Sequence, residues 1–135
     1  MKTVIETTTA GTIEIDSTFK GDKTANWSGM SNCNNHRVTI RHKGNKFSFD
    51  FWASIANPKI TKDSENIFTF YCALTDIVSA KESFSEFCSN FGYDTDSINA
   101  NGIYKACQRS LAKFDRVFDC DLYDLANEIQ ETYEC

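Results

Sequence analysis

The chain has 135 residues, 41% hydrophobic and 13% aromatic, which is the size and apolar content of one ordinary domain with a real core. That content excludes wholesale disorder, and no run approaches the roughly 20 apolar residues that span a bilayer. The net charge of −5 is unevenly placed: residues 1–62 hold nine Lys/Arg and five Asp/Glu (+4), whereas residues 63–135 hold five and fourteen (−9).

The elements read as follows in chain order. Met1 to Thr7 lacks the apolar stretch of a signal peptide, so the protein is expected to stay in the cytoplasm where it is made. Thr3–Thr9 and Thr12–Ile15 are rich in β-branched residues around Gly11 and predict a hairpin. Residues 19–35 are polar, with scattered Gly, Asn and Ser, and predict a loop, or a short strand around Trp27 flanked by loop. Arg37–Arg41 and Phe47–Phe51 each alternate polar and apolar about Lys43-Gly44-Asn45, the pattern of a hairpin with one packed face. Trp52 breaks the alternation and predicts a bulge or the strand end. The only proline, Pro58, closes the strand region.

The period then changes. Ile67, Phe70, Leu74, Ile77 and Val78 follow helical spacing after a cap at Asp63 or Ser64. Ser83-Phe84-Ser85-Glu86 is a capping box and Gly92 a left-handed stop, bounding a short helix. Asp96 or Ser97 caps a third helix, whose apolar side is read as Ile98, Ile103, Tyr104, Cys107, Leu111, Phe114 and Phe118. A last helix starts near Asp121. No repeat or linker separates the halves. The expectation is a single α+β domain over 1–135, strand-rich and basic in 1–62, helical and acidic in 63–135. Its antiparallel sheet carries three to four helices on one face.

Candidate chemistry is sparse. The six cysteines (Cys33, Cys72, Cys88, Cys107, Cys120, Cys135) form no CxxC or CxH pair, and several fall among apolar helix residues, so they read as reduced thiols without a metal. His36 and His42 flank the first strand of the second hairpin among polar neighbours and read as solvent-facing. Asp94-Thr95-Asp96 lacks the glycine and distal Glu of a calcium loop and reads as caps and turns. Several carboxylates could pair as acid and base, Asp76 with Glu82 and Glu86 or Asp115 with Asp119 and Asp121, but no apolar pocket is signalled around them. No catalytic constellation, phosphate loop or cofactor motif appears, and the expectation is a protein that is not an enzyme.

Two surfaces remain. Arg37, Arg41 and Lys43, with Trp27 or Trp52 to stack on a base, could hold a nucleotide. The acidity of the whole chain argues against direct nucleic-acid binding. The acidic helical half, with Glu82, Glu86, Asp94, Asp96, Asp115, Asp119, Asp121 and Asp124, could dock on a basic groove of a partner. A homodimer through the three-Phe hairpin face is expected if that face is uncovered.

Ser83-Phe84-Ser85-Glu86-Phe87-Cys88, then Phe91-Gly92-Tyr93-Asp94-Thr95-Asp96-Ser97 and Tyr104-Lys105-Ala106-Cys107, resemble a stretch of small phage-encoded accessory proteins. There it reads S-F-x-E-[FW]-C, [FY]-G-Y-D-x-D-S and Y-x-A-C. Trp27-Ser28, the Phe-rich strand and Leu74-Thr75-Asp76 also fit, and the chain departs from the pattern at Asn99 and Asn101. The resemblance implies a phage counter-defence protein, such as an anti-CRISPR, whose partner is a host defence protein or ribonucleoprotein effector in the host cytoplasm. A nucleotide sponge or a small phage structural protein is the alternative.

Overall fold

The computed structural model describes residues 2–25, 30–53 and 64–134, with the side chains of 21–25, 30–35, 52, 53 and 99 outside the description. Trp27, Pro58, Asp63 and Cys135 lie outside the described residues, as do the side chains of Cys33 and Trp52. Four strands come first, β1 (Lys2–Thr7), β2 (Gly11–Ala25), β3 (Met30–His42) and β4 (Asn45–Ala53), paired antiparallel in sequence order. Four helices follow, α1 (Asn66–Val78), α2 (Phe84–Phe91), α3 (Ile98–Val117) and α4 (Leu122–Tyr133), with a 3-10 turn at Ser79–Lys81 between the first two. This is the α+β architecture that the change of hydrophobic period predicts.

Turn chemistry sets the strand ends. Lys43 and Gly44 both take positive φ, 49° and 82°, as a two-residue hairpin turn requires. Gly11, at φ 78°, starts β2 after the turn Thr8-Thr9-Ala10. There the Thr7 hydroxyl donates to the Gly11 carbonyl at 2.8 Å and accepts from the Ala10 N–H at 2.9 Å.

One face of the sheet is apolar. Ile5, Ile13, Ile15, Val38, Ile40, Phe49 and Phe51 are buried there against residues of α1, α3 and α4 in one cluster. Phe114 of α3 is fully buried, and the Phe47 and Phe49 rings meet it at 5.3 and 5.1 Å with interplanar angles of 76° and 69°. Such edge-to-face contacts add to plain burial. This face is therefore covered by the chain's own helices, so the condition for a dimer seam there is not met. A smaller cluster of Ala80, Phe87, Ile103, Ala106 and Cys107 holds α2 against α3.

Three expectations are corrected. Residues 19–25 and 30–35 are strand rather than loop, because β2 and β3 continue to pair as far as Ala25 and Met30. Ladder hydrogen bonds hold these polar residues without an apolar pattern. β4 ends at Ala53, one residue after Trp52, as the break in alternation predicts, and its register with β3 runs unbroken to that point, whereas β2 and β3 shift register between Phe19 and Gly21 and between Lys23 and Ala25. The cap of α1 is Glu65, with no side-chain cap bond. Asn66 instead docks the helix start on the sheet, donating to the Thr3 hydroxyl at 3.2 Å and accepting from Ser17 at 2.7 Å. Ile98 is 87% exposed rather than in the core, because it opens α3 one residue after its cap, ahead of the packed turns.

A carboxylate from the far end of the chain secures the first hairpin. Glu128 of α4 accepts from the Thr8 and Thr9 amides at 2.6 and 2.8 Å and from the Thr9 hydroxyl at 2.6 Å. Its surroundings work to raise the carboxyl by desolvation, but these three bonds outweigh that and hold it below its ordinary value. A depressed folded pKa means stability that is present above the unfolded carboxylate range and lost as pH falls through the folded value. We expect Glu128→Gln to cost about 1–2 kcal/mol at neutral pH, the worth of charge-assisted hydrogen bonds. Urea unfolding at stepped pH should show the difference from the unmutated protein shrinking on acidification below the carboxylate range.

Candidate functional site

Capping chemistry places the acidic residues before any partner is considered. Ser83 accepts from the Glu86 amide at 3.2 Å, the first arm of the expected capping box, while the Glu86 carboxylate takes the Ser83 hydroxyl at 3.3 Å. Gly92, at φ 73°, ends α2 with its N–H on the Cys88 carbonyl. Asp94 accepts from the Asp96 amide at 3.0 Å, and Ser97 rather than Asp96 caps α3. Asp121 caps α4 through the Tyr123 and Asp124 amides at 2.8 and 3.1 Å. Asp115 is exposed on α3, and Asp119 is exposed just after it.

Six of the eight residues fall into two groups, and Glu82 links them. Glu86, Asp94 and Asp96 lie around the ends of α2, and Asp94 adds its field to Cys88. Asp119, Asp121 and Asp124 gather at the α3–α4 junction, where all three raise the Cys120 thiol after burial has done so. Glu82 accepts from Asn90 of α2 at 2.7 Å, and its carbonyl accepts from the Tyr104 hydroxyl of α3 at 2.6 Å. Its carboxylate also acts on Tyr123 of α4: burial first, then Glu82 and Asp121, hold that phenol above its ordinary value. Asp115 joins neither group.

Tyr123 is the residue that sequence reasoning missed. It is 46% exposed, one of three large hydrophobic residues so exposed among the described residues, and Lys81 Nζ sits 5.6 Å from its ring centroid. An aromatic ring with a hydroxyl tip, standing out of a carboxylate-rich surface, is the type of side chain that anchors protein interfaces. Its place beside the Asp121 cap was available as a signal. Its meeting with Glu82 and Lys81 was not.

Two cations of the basic hairpin, Arg37 and Arg41, are paired with carboxylates. Side chains at Lys2, Glu14, Arg37, Arg41 and Asp50 share the sheet face away from the helices. Arg37 pairs with Asp50 at 3.1 Å and Arg41 with Glu14 at 2.9 Å, Glu14 lying also 3.8 Å from Lys2. Lys43 stands exposed at the turn. Trp27 and the Trp52 side chain fall outside the description, so no stacking partner is placed beside these cations.

The histidines are buried rather than solvent-facing, each 2% exposed. The reason is strand parity: His36 and His42 alternate in step with Val38 and Ile40 on the core face, while their polar neighbours Arg37 and Arg41 point away. The His36 ring meets Phe19 edge-on at 5.4 Å. His42 Nε2 donates to the Ala10 carbonyl at 2.6 Å, and the ring lies 4.6 Å from Phe118. A carbonyl can only accept, so Nε2 carries the proton and His42 acts as a buried tie between hairpins.

A recess of about 250 Å³, partly open to solvent, lies between β4, α1, α2 and α3, lined by Phe51, Asp76, Phe87, Phe91, Tyr93 and Cys107 among others. Its enclosed part has room for about one water. Cys72, Cys88 and Cys107 are buried, as their spacing predicts, and form no disulfide with one another or with Cys120. Burial, followed by the field of Asp76, raises the Cys107 thiol strongly. Cys120, half-buried and also raised, is expected to react first of these four, slowly at neutral pH and faster in alkali. Iodoacetamide labelling with peptide mapping checks the order. No cluster of three or more His, Cys, Asp or Glu among the described residues is placed to hold a metal. No helix among them is long and apolar enough to cross a membrane.

Fold and surface together define an α+β protein whose helical layer carries a carboxylate-rich surface around an exposed tyrosine. No family model matches the chain, and no curated protein or solved structure matches it.

Proposed function

We propose that this protein is a non-catalytic inhibitor that binds a basic partner stoichiometrically through the surface around Tyr123. The observation that carries this reading is the exposed Tyr123 ring on a helical layer where Glu82, from the turn before α2, and Asp121, from the cap of α4, both act by charge on its hydroxyl. Carboxylates from separate elements extend a negative field over one surface, and the ring supplies apolar contact within it. Such a surface complements a groove lined with Lys and Arg, the kind that otherwise holds nucleic acid.

The phage-like motif of residues 83–107 supports a source for the partner: a host defence effector, with a CRISPR ribonucleoprotein as the leading case, met in the host cytoplasm. The nucleotide-sponge alternative draws less support, because Arg37 and Arg41 are engaged by Asp50 and Glu14. Calorimetry against cyclic nucleotides separates the two readings.

The test is direct. Expressed in a host with an active CRISPR system, the protein should restore plaque formation by a targeted phage and be captured with the effector. Binding to the purified effector should weaken steeply as salt rises, because exposed charges are screened within about 8 Å at physiological ionic strength. Salt-insensitive binding, or unchanged interference with no captured effector, would overturn the proposal.

A further inference from the structure

The two edges of the sheet are treated differently. At β4, Lys113 of α3 donates to the Ser48 carbonyl at 3.1 Å and so occupies the edge backbone. At the other edge, β1 pairs with β2 on one side and has no described strand on its other side. β1 also lacks most devices that blunt an edge. It has no proline and no inward-pointing charge, and its six-residue register with β2 runs without a shift.

The outward residues of β1 are Lys2, Val4 and Glu6, all exposed, with Val4 at 58%. This sequence is complementary to itself. An antiparallel neighbour related by a two-fold axis through Val4 sets Lys2 against Glu6 of the second copy, Val4 against Val4, and Thr3 against Ile5. Both charged pairs then match, and the exposed valine is covered by its own symmetry mate. The pairing continues the existing ladder of alternating charge, in which Arg41 and Lys2 flank Glu14. Lys2 and Glu6, the two charges on β1 that would repel a like-charged strand, answer each other in this register. At the far end of β1, Glu128 holds α4 at the Thr8-Thr9 turn, beyond the paired segment. The two-fold therefore places the two copies of that helix at opposite ends of the seam.

We infer that β1 is a self-recognition edge, through which two copies of this chain join their sheets into one continuous antiparallel sheet of eight strands. It is independent of the acidic surface, which lies on the helical layer.

Sedimentation velocity over a concentration series tests it. The unmutated protein should show a monomer–dimer equilibrium. Lys2→Glu or Glu6→Lys alone should weaken the dimer at least about tenfold, since each sets like charges opposite at two symmetric positions. The double swap Lys2→Glu with Glu6→Lys should recover most of that loss. Should the single variants loosen β1 itself, the unmutated protein still decides: amide exchange along Lys2–Thr7 should slow as protein concentration rises. A monomer up to millimolar concentration overturns the inference. So does a dimer indifferent to both single changes, or exchange along β1 independent of concentration.

Discussion

Replacing Phe114 with alanine is expected to remove about 3–5 kcal/mol of folding stability, the usual cost of truncating a buried Phe. That is a large share of the roughly 5–15 kcal/mol that holds a typical domain together. Four rings surround Phe114: Phe47 and Phe49 of β4, Phe70 of α1 at 6.3 Å and Phe118 after α3 at 5.7 Å. They come from three elements that cannot all relax into the same void, so the cavity term adds to the lost burial. Urea unfolding should show a lowered midpoint with an unchanged slope. Phe114→Leu, which keeps most of the volume, should cost less than half as much. Equal costs for the two would mean that Phe114 is not the joint between helices and sheet.

The second large effect is expected on binding. Tyr123→Ala should weaken binding to a purified effector by tenfold or more, in the range of interface anchors at about 2 kcal/mol. Asp121→Asn combined with Glu82→Gln should weaken it further, mainly by slowing association and flattening the salt dependence. These choices keep the local structure. Asn caps a helix about as well as Asp, and Gln can still accept the hydrogen bond from Asn90. Unfolding free energy should therefore stay within about 0.5 kcal/mol of the parent, the usual range for surface changes. Unaltered binding by the triple variant would remove the surface around Tyr123 from consideration as the docking site.

Much of the fold was legible before any coordinates. The Ser83–Glu86 box, the Gly92 stop, the Asp121 cap and the Lys43-Gly44 turn depend on atoms within four residues of one another, so the local sequence suffices to read them. The Phe47, Phe49 and Phe51 alternation was equally readable, because a pleated strand forces every second side chain to one face. The same rule would have buried His36 and His42, in step with Val38 and Ile40. Judging them by their immediate neighbours put them in water. Ile98 shows the opposite fault: apolar character at a helix start does not bring a side chain to the core when the packed turns begin later.

The surface around Tyr123 was only half legible. Its carboxylates could be counted along the chain, but counting does not say which of them meet. Glu82 and Asp121 are 39 residues apart in sequence and come to act on one tyrosine because α1, which runs through the 3-10 turn to Glu82, packs against α4. The Glu128 bond to the first hairpin spans 120 residues and has no sequence signature.

The sequence by itself determined the division into a basic strand-rich half and an acidic helical half, with the caps and turns that bound its elements. Composition and hydrogen bonds between near neighbours are local properties. Only the tertiary structure decided what that charge division leaves exposed. Arg37 and Arg41 of the basic half are answered across the sheet by Asp50 and Glu14, while Glu82 and Asp121 of the helical half both act by charge on the exposed Tyr123. Charge neutralisation depends on distances between strands and helices, and those are set by packing.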